Sequence, residues 1–236
     1  MASIRAVARG RDACQHEGMR AERLAVALCS LVLTTTLAAR GHAATSDDGD
    51  TTMRPGPIAR GNDADAAALL GKRPPELPGL HWLDGKQRSL ASLRGHVVVI
   101  RSFTAGCPFC ASTMPTLEQW QRDLGPRGLQ VLGVYHPKPA RKISDAEVAS
   151  ASRALGVKAF PIASDPVWAL VNRWWLQPTQ GSWTSFTFVL DRRGVVRYVH
   201  PGGEFHTGGG PDHGTCRADE QKMRALVEQL LAEKVG

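Results

Sequence analysis

TAGCPFCASTMP, residues 104–115, places two cysteines one helical turn apart, directly after the β-branched run HVVVIRSF of residues 96–103. The run reads as a strand buried on both faces. The cysteines then open a helix on which Met114, Leu117, Trp120 and Leu124 recur at helical spacing. Pro108 suits the first helical turn, where no N–H is required, whereas Pro115 falls inside the pattern and predicts a kink. A cysteine at such a helix N-terminus has free backbone N–H groups and the helix dipole to favour its thiolate. The second cysteine lies close enough to close a disulfide. Zinc is the main competing reading, but a structural zinc site commonly needs two such pairs and the chain supplies one. Two buried structural thiols are the other alternative.

Outward from this segment the pattern alternates. Gly79–Asp84 reads as a short strand, and 89–95 as a helical turn stopped by Gly95. LQVLGVY at 129–135 is a second buried strand. Asp145–Leu155 is a helix, FPIAS at 160–164 a short strand, and Pro166–Trp175 a helix with proline in its first turn. FTFVLD and VVRYVH, 186–191 and 195–200, flank Arg192-Arg193-Gly194 as a hairpin. A Gly-rich loop, 201–215, leads to a final helix with an apolar stripe through Met223, Leu226, Val227, Leu230 and Leu231. Alternating strands and helices imply an α/β fold: a central mixed sheet flanked by helices on both faces.

The chain has 236 residues, 42% hydrophobic and 22% charged, consistent with a packed globular core. Its net charge of +7 carries +3 before residue 44. With no basic stripe interleaved with aromatics in the remainder, no nucleic-acid partner is expected. Residues 1–43 read as an export signal or N-terminal anchor: basic residues, then the uncharged LAVALCSLVLTTTLAA of 24–39, then small residues and a cut after Ala43. Met19 is an alternative start. The apolar run is short for a spanning helix, which favours cleavage, and an uncleaved membrane tether is the alternative. Residues 44–71 read as a flexible linker with a helical turn at Ala64–Leu70, and 72–236 as one domain. The expected location is periplasmic or secreted. Cys14 and Cys29 lie in the leader, and Cys107, Cys110 and Cys216 remain. Cys216 is the odd one, with a free thiol as its simplest expected state.

PPELPGLHWLDGKQRSLASLRGHVVVI, CPFCASTMPTLEQW, LQVLGVYHP and TFVLDRRGVVRYVHPG together resemble the exported thioredoxin-like proteins of the TlpA/ResA type, in the redoxin/AhpC-TSA superfamily. The resemblance covers about 160 residues, from Arg73 onward. It implies a thioredoxin-like fold and thiol–disulfide exchange, with reduction as the expected direction, Cys107 as nucleophile and Cys110 as buried resolving thiol. The implied partners are cysteine-containing exported proteins and a membrane or soluble thiol electron partner, with no cofactor.

The chain departs from that family around the dithiol. Arg101 stands where relatives often carry an acid or Asn six residues before the first cysteine, and should favour a thiolate. Thr113 replaces a Glu three residues after the second. Ser185, with Thr184 beside it, occupies the place of the cis-proline that faces the disulfide. Thr104 matches the T-x-x-C of peroxiredoxins, so a thiol-dependent peroxidase is an alternative. His136 follows a buried strand at the rim where ligands gather, as a proton-transfer group or an ordinary loop histidine. A copper-binding metallochaperone using Cys107, Cys110 and His200 is the non-enzyme alternative. His206, His213 and Cys216 share the Gly-rich region with His200, which reads as a polar loop. Trp168, Trp174, Trp175 and Trp183 read mostly as core, with one or two left to form an apolar groove.

Overall fold

The computed structural model describes residues 64–179 and 183–234, and the leader, its cysteines and the start of the linker lie outside these. The described residues belong to one compact unit. Among them no helix is long and apolar enough to cross a membrane.

Among the described residues six strands form one sheet: β1 His81–Trp82, β2 Val97–Phe103, β3 Leu129–Tyr135, β4 Ile162–Ser164, β5 Thr187–Leu190 and β6 Val196–His200. Their spatial order is β1-β4-β3-β2-β5-β6. The central β4, β3 and β2 are parallel, while β1, β5 and β6 add antiparallel edges. Helices are α1 Ala64–Ala67, α2 Pro108–Leu124, α3 Asp145–Ala154, α4 Gln177–Thr179 and α5 Gly214–Ala232, and a π-helical segment, Val171–Leu176, runs directly into α4. This is the mixed thioredoxin-like sheet that the alternating pattern and the resemblance imply.

Strand alternation divides the core into two layers, one per sheet face. Val97, Val99 and Phe103 of β2 join Met114, Leu117 and Trp120 of α2 and Met223, Val227 and Leu230 of α5. Val98 and Ile100 face the other way, onto Trp174, Trp175, Phe186 and Phe188. At the sheet centre β3 carries Gly133, where a Cβ would collide with Ile162 and press on Phe103 and Phe160. Any larger residue there must displace the Ile162 side chain and press the Phe103 and Phe160 rings.

Local chemistry sets the ends of the elements. Ser144 caps α3 in a reciprocal box with Glu147. Buried Glu118 of α2 accepts the backbone N–H groups of Lys158 and Ala159, each at 2.7 Å, pinning the approach to β4. The helix expected from Pro166 instead begins at Ala169. Pro166 lies in a turn, and the Asp165 carboxylate accepts from the N–H groups of Ala169, Leu170 and Val171 at 2.6, 3.0 and 3.3 Å. Between them Trp168 has a φ of 60°, rare for a bulky residue, and its indole N–H donates to Pro137 O at 2.7 Å. Helix α2 runs through Pro115 as one element. Packing begins ahead of residue 72: Ala66 is buried, and Gly71 N–H and Lys72 O bond the backbone of Val196.

Candidate active site

The strand β2 ends at Phe103, and four residues later the chain must enter α2. Gly106 makes the turn with a φ of 68°, which a side chain resists. Cys107 is then the N-cap of α2, and its sulfur accepts the N–H of Cys110 at 3.2 Å. That bond places an acceptor on one of the helix's unsatisfied donors. Cys107 is half-buried and Cys110 fully buried, both as free thiols, with sulfurs 2.6 Å apart.

Alternation along β2 puts Arg101 on the α2 face, beneath the dithiol. Arg101 is fully buried, with Nη2 4.0 Å from Cys110 Sγ and 3.1 Å from Gly203 O, and Nη1 3.1 Å from Thr187 Oγ1. Thr187 is its cross-strand neighbour on β5. From the loop before β5, Ser185 brings Oγ to 3.3 Å from Cys110 Sγ and 3.7 Å from Cys107 Sγ. The serine at the proline position therefore faces both sulfurs with a hydroxyl. The cis peptide among the described residues is Lys138–Pro139.

The two sulfurs are joined by a hydrogen bond and titrate together. The hydrogen bond from Cys107 draws Cys110 down to about 5, against burial; the Arg101 charge, the Ser185 hydroxyl and the Thr104 backbone N–H add to the lowering. The same bond, with burial, pushes Cys107 up. The pair thus gives up its first proton below the ordinary thiol range and retains the second well above it. The accessible sulfur is Cys107.

The other face of β2 carries Ser102, and β3 delivers His136 to the same side. His136 is buried, its Nδ1 3.1 Å from Ser102 Oγ and its Nε2 2.8 Å from Thr184 Oγ1. Its ring meets Trp168 edge-on, with centroids 5.4 Å apart. Burial, then Lys138 and Arg101, lowers its pKa to about 3, so the imidazole is neutral. His136 is a bridge from the sheet to the Thr184–Ser185 loop. Thr113, at the family's Glu position, is buried and accepts Phe205 N–H at 3.2 Å. Of the tryptophans, Trp174 and Trp175 are core, whereas Trp183 is 42% exposed and meets Phe109 edge-on at 5.6 Å. Phe109 and Trp183 form an apolar surface beside Cys107.

His200 lies on β6 with Nε2 3.5 Å from Asp219 of α5 and its ring against Phe205. Cys216 is disulfide-bonded, not the free thiol expected. The His/Cys/carboxylate group compact enough for an ion, among the described residues, is Glu204, His206, His213 and Cys216. Glu204 had no sequence signal, because its proximity to the histidines depends on how the Gly-rich loop closes.

A free dithiol at the N-terminus of the helix after a central parallel strand defines a thioredoxin-fold thiol protein. The redoxin family model matches residues 69–212, and the chain belongs to that family. It is 31% identical over 180 residues to Protein DipZ of Mycobacterium bovis, covering 72% of this chain and 22% of that protein. The chain thus spans about a fifth of the length of the curated relatives it matches. Its fold resembles that of a putative thiol:disulfide interchange protein DsbE from Chlorobium tepidum, with TM-score 0.54, 19% identity, and coverage of 69% of this chain and 98% of that one. A thiol-disulfide isomerase from Corynebacterium glutamicum gives TM-score 0.52 and 22% identity, covering 68% and 97%.

Proposed function

We propose that this redoxin is a thiol–disulfide oxidoreductase that reduces disulfides in exported proteins through Cys107 and Cys110. The observation that carries the reading is the unequal burial of two sulfurs 2.6 Å apart at the helix N-terminus, with Arg101 under the buried one. Family membership supports the chemistry, and the uncharged segment 24–39 supports export.

In the forward step the Cys107 thiolate attacks one sulfur of a substrate disulfide. The substrate S–S bond breaks, a Cys107–substrate S–S bond forms, and the other substrate sulfur leaves as a thiolate. Proton sharing lets the charge reside on Cys107 once a substrate sulfur approaches it. Cys110, released from that bond and facing Arg101, is then the thiolate that attacks Cys107 Sγ. The mixed disulfide breaks, the second substrate thiolate leaves, and the Cys107–Cys110 disulfide forms. Two electrons pass to the substrate; the first leaving thiolate takes the proton left on Cys110, freeing it for its attack, and the second takes its proton from solvent. A partner dithiol, membrane-borne or soluble, must return the electrons. Ser185 donates to sulfur during both attacks, and Phe109 with Trp183 receives apolar substrate residues.

Prereduced protein mixed with an equimolar disulfide-bonded protein tests this. Loss of the substrate disulfide with stoichiometric oxidation of Cys107 and Cys110 is expected, and Cys110→Ser should accumulate the mixed disulfide on Cys107. An unchanged substrate, or oxidation of the dithiol only by hydrogen peroxide, would overturn the reading in favour of a peroxidase.

A further inference from the structure

Away from the dithiol sulfurs, the loop between β6 and α5 gathers three good metal ligands. His206 Nε2 and His213 Nδ1 are 3.1 Å apart, His213 Nδ1 is 3.5 Å from Glu204 Oε1, and His206 Nε2 is 3.8 Å from the same oxygen. Zinc bonds of about 2.0–2.1 Å at tetrahedral angles require ligand atoms about 3.3 Å apart, which this triangle brackets. The environment is enclosed: Glu204 and His206 are buried and His213 is partly so.

Orientation supplies a second, independent observation. His206 Nδ1 lies 3.1 Å from Gly208 O, to which it donates. That bond makes Nδ1 the donor and aims Nε2 at His213 and Glu204. A ring nitrogen held by a backbone carbonyl is the usual support of a metal-binding histidine. Gly208 O is braced in turn by Arg217 Nη1 at 3.4 Å, which also donates to Gly210 O at 2.8 Å. The backbone N–H of His206 bonds Cys216 O at 3.4 Å, tying the loop to the first turn of α5.

The geometry points to a divalent-metal site of zinc type on Glu204, His206 and His213. Two imidazoles and one carboxylate form a borderline donor set suited to zinc. Cys216 Sγ is 3.9 Å from Glu204 Oε1, but its sulfur is engaged in a disulfide and is not counted as a ligand. Solvent would take the fourth position. The ion would fasten the Gly-rich loop to α5. Because Gly203 O of that loop accepts from Arg101, the metal would also steady the ground beneath the dithiol.

The experiment is zinc titration of the full chain without reductant, in a Cys107→Ser/Cys110→Ser background that removes the competing dithiol. One zinc per chain and a rise in Tm with zinc are expected. Glu204→Gln and His213→Ala should each weaken binding by about tenfold or more and abolish the Tm rise. Glu204→Gln keeps the side-chain shape, so it reads the site even where a histidine variant misfolds. No saturable binding, or equal binding and Tm rise in both variants, would overturn the proposal. Neither result depends on whether Cys107 and Cys110 exchange disulfides.

Discussion

The two faces of β2 approach the same loop by different physics. On the α2 face a buried cation, Arg101, lies 4.0 Å from the Cys110 sulfur and favours negative charge on it. On the opposite face a neutral histidine links Ser102 to Thr184 by hydrogen bonds of 3.1 and 2.8 Å. On the proposed reading, one side tunes charge at the sulfurs and the other fixes the position of Thr184 and Ser185. Consecutive residues, Arg101 and Ser102, serve the two tasks because a strand alternates its side chains. A defect in the first should therefore alter reactivity, and a defect in the second should alter stability and loop position.

The largest effect belongs to the nucleophile. Cys107→Ser should reduce disulfide exchange to background, while Cys110→Ser should retain the attack and stall as a mixed disulfide. Non-reducing electrophoresis with mass mapping reads both. Next comes Arg101→Met. Loss of the cation should move the thiolate onset upward from about 5. Below the new onset, alkylation should slow about tenfold for every pH unit by which the onset rises. A profile that does not move would remove Arg101 from the chemistry. The variant also leaves Thr187 and Gly203 without their donor, so a denaturant melt should accompany it.

His136→Leu should separate the two faces. It strands the hydroxyls of Ser102 and Thr184, and a cost of about 1–3 kcal/mol per unsatisfied group is the expected scale. The alkylation onset should change less than in Arg101→Met. The native histidine also predicts a pH dependence. Its pKa is about 3 when folded, below its ordinary 6.5, so the unfolded chain binds more protons between these values. This contribution is complete above about pH 6.5 and declines as pH falls towards 3. His136→Leu should flatten that part of a stability–pH curve, and an unchanged slope would show that the ring titrates freely. The smallest effect is Ser185→Ala, which removes one hydrogen bond to sulfur and should slow exchange by less than about tenfold.

Much of the architecture was legible because its signals are local. The β-branched run of β2 and the whole of β3, Leu129–Tyr135, stand out from their neighbours. The dithiol could be placed from its position after that run. Counting back from β5 located Ser185, but only the closed loop shows its hydroxyl between two sulfurs. Pro166 misled because the Asp165 carboxylate, just ahead of it, collects the first N–H groups of a helix that starts later, at Ala169. His136 looked like a rim group, and its burial depends on Trp168 folding over it with a strained backbone. Of the Glu204–His206–His213 triangle only the two histidines stood out in the sequence; Glu204 did not, because it joins them through a Gly-rich loop whose path has no periodicity.

The most direct test is an equilibrium redox titration of Cys107–Cys110 against dithiothreitol mixtures, with alkylation to count thiols. One reversible two-electron transition with a midpoint below about −200 mV is predicted. Thiols that never pair across the titration, or a midpoint near about −120 mV where dithiols act as oxidants, would contradict the reductase reading.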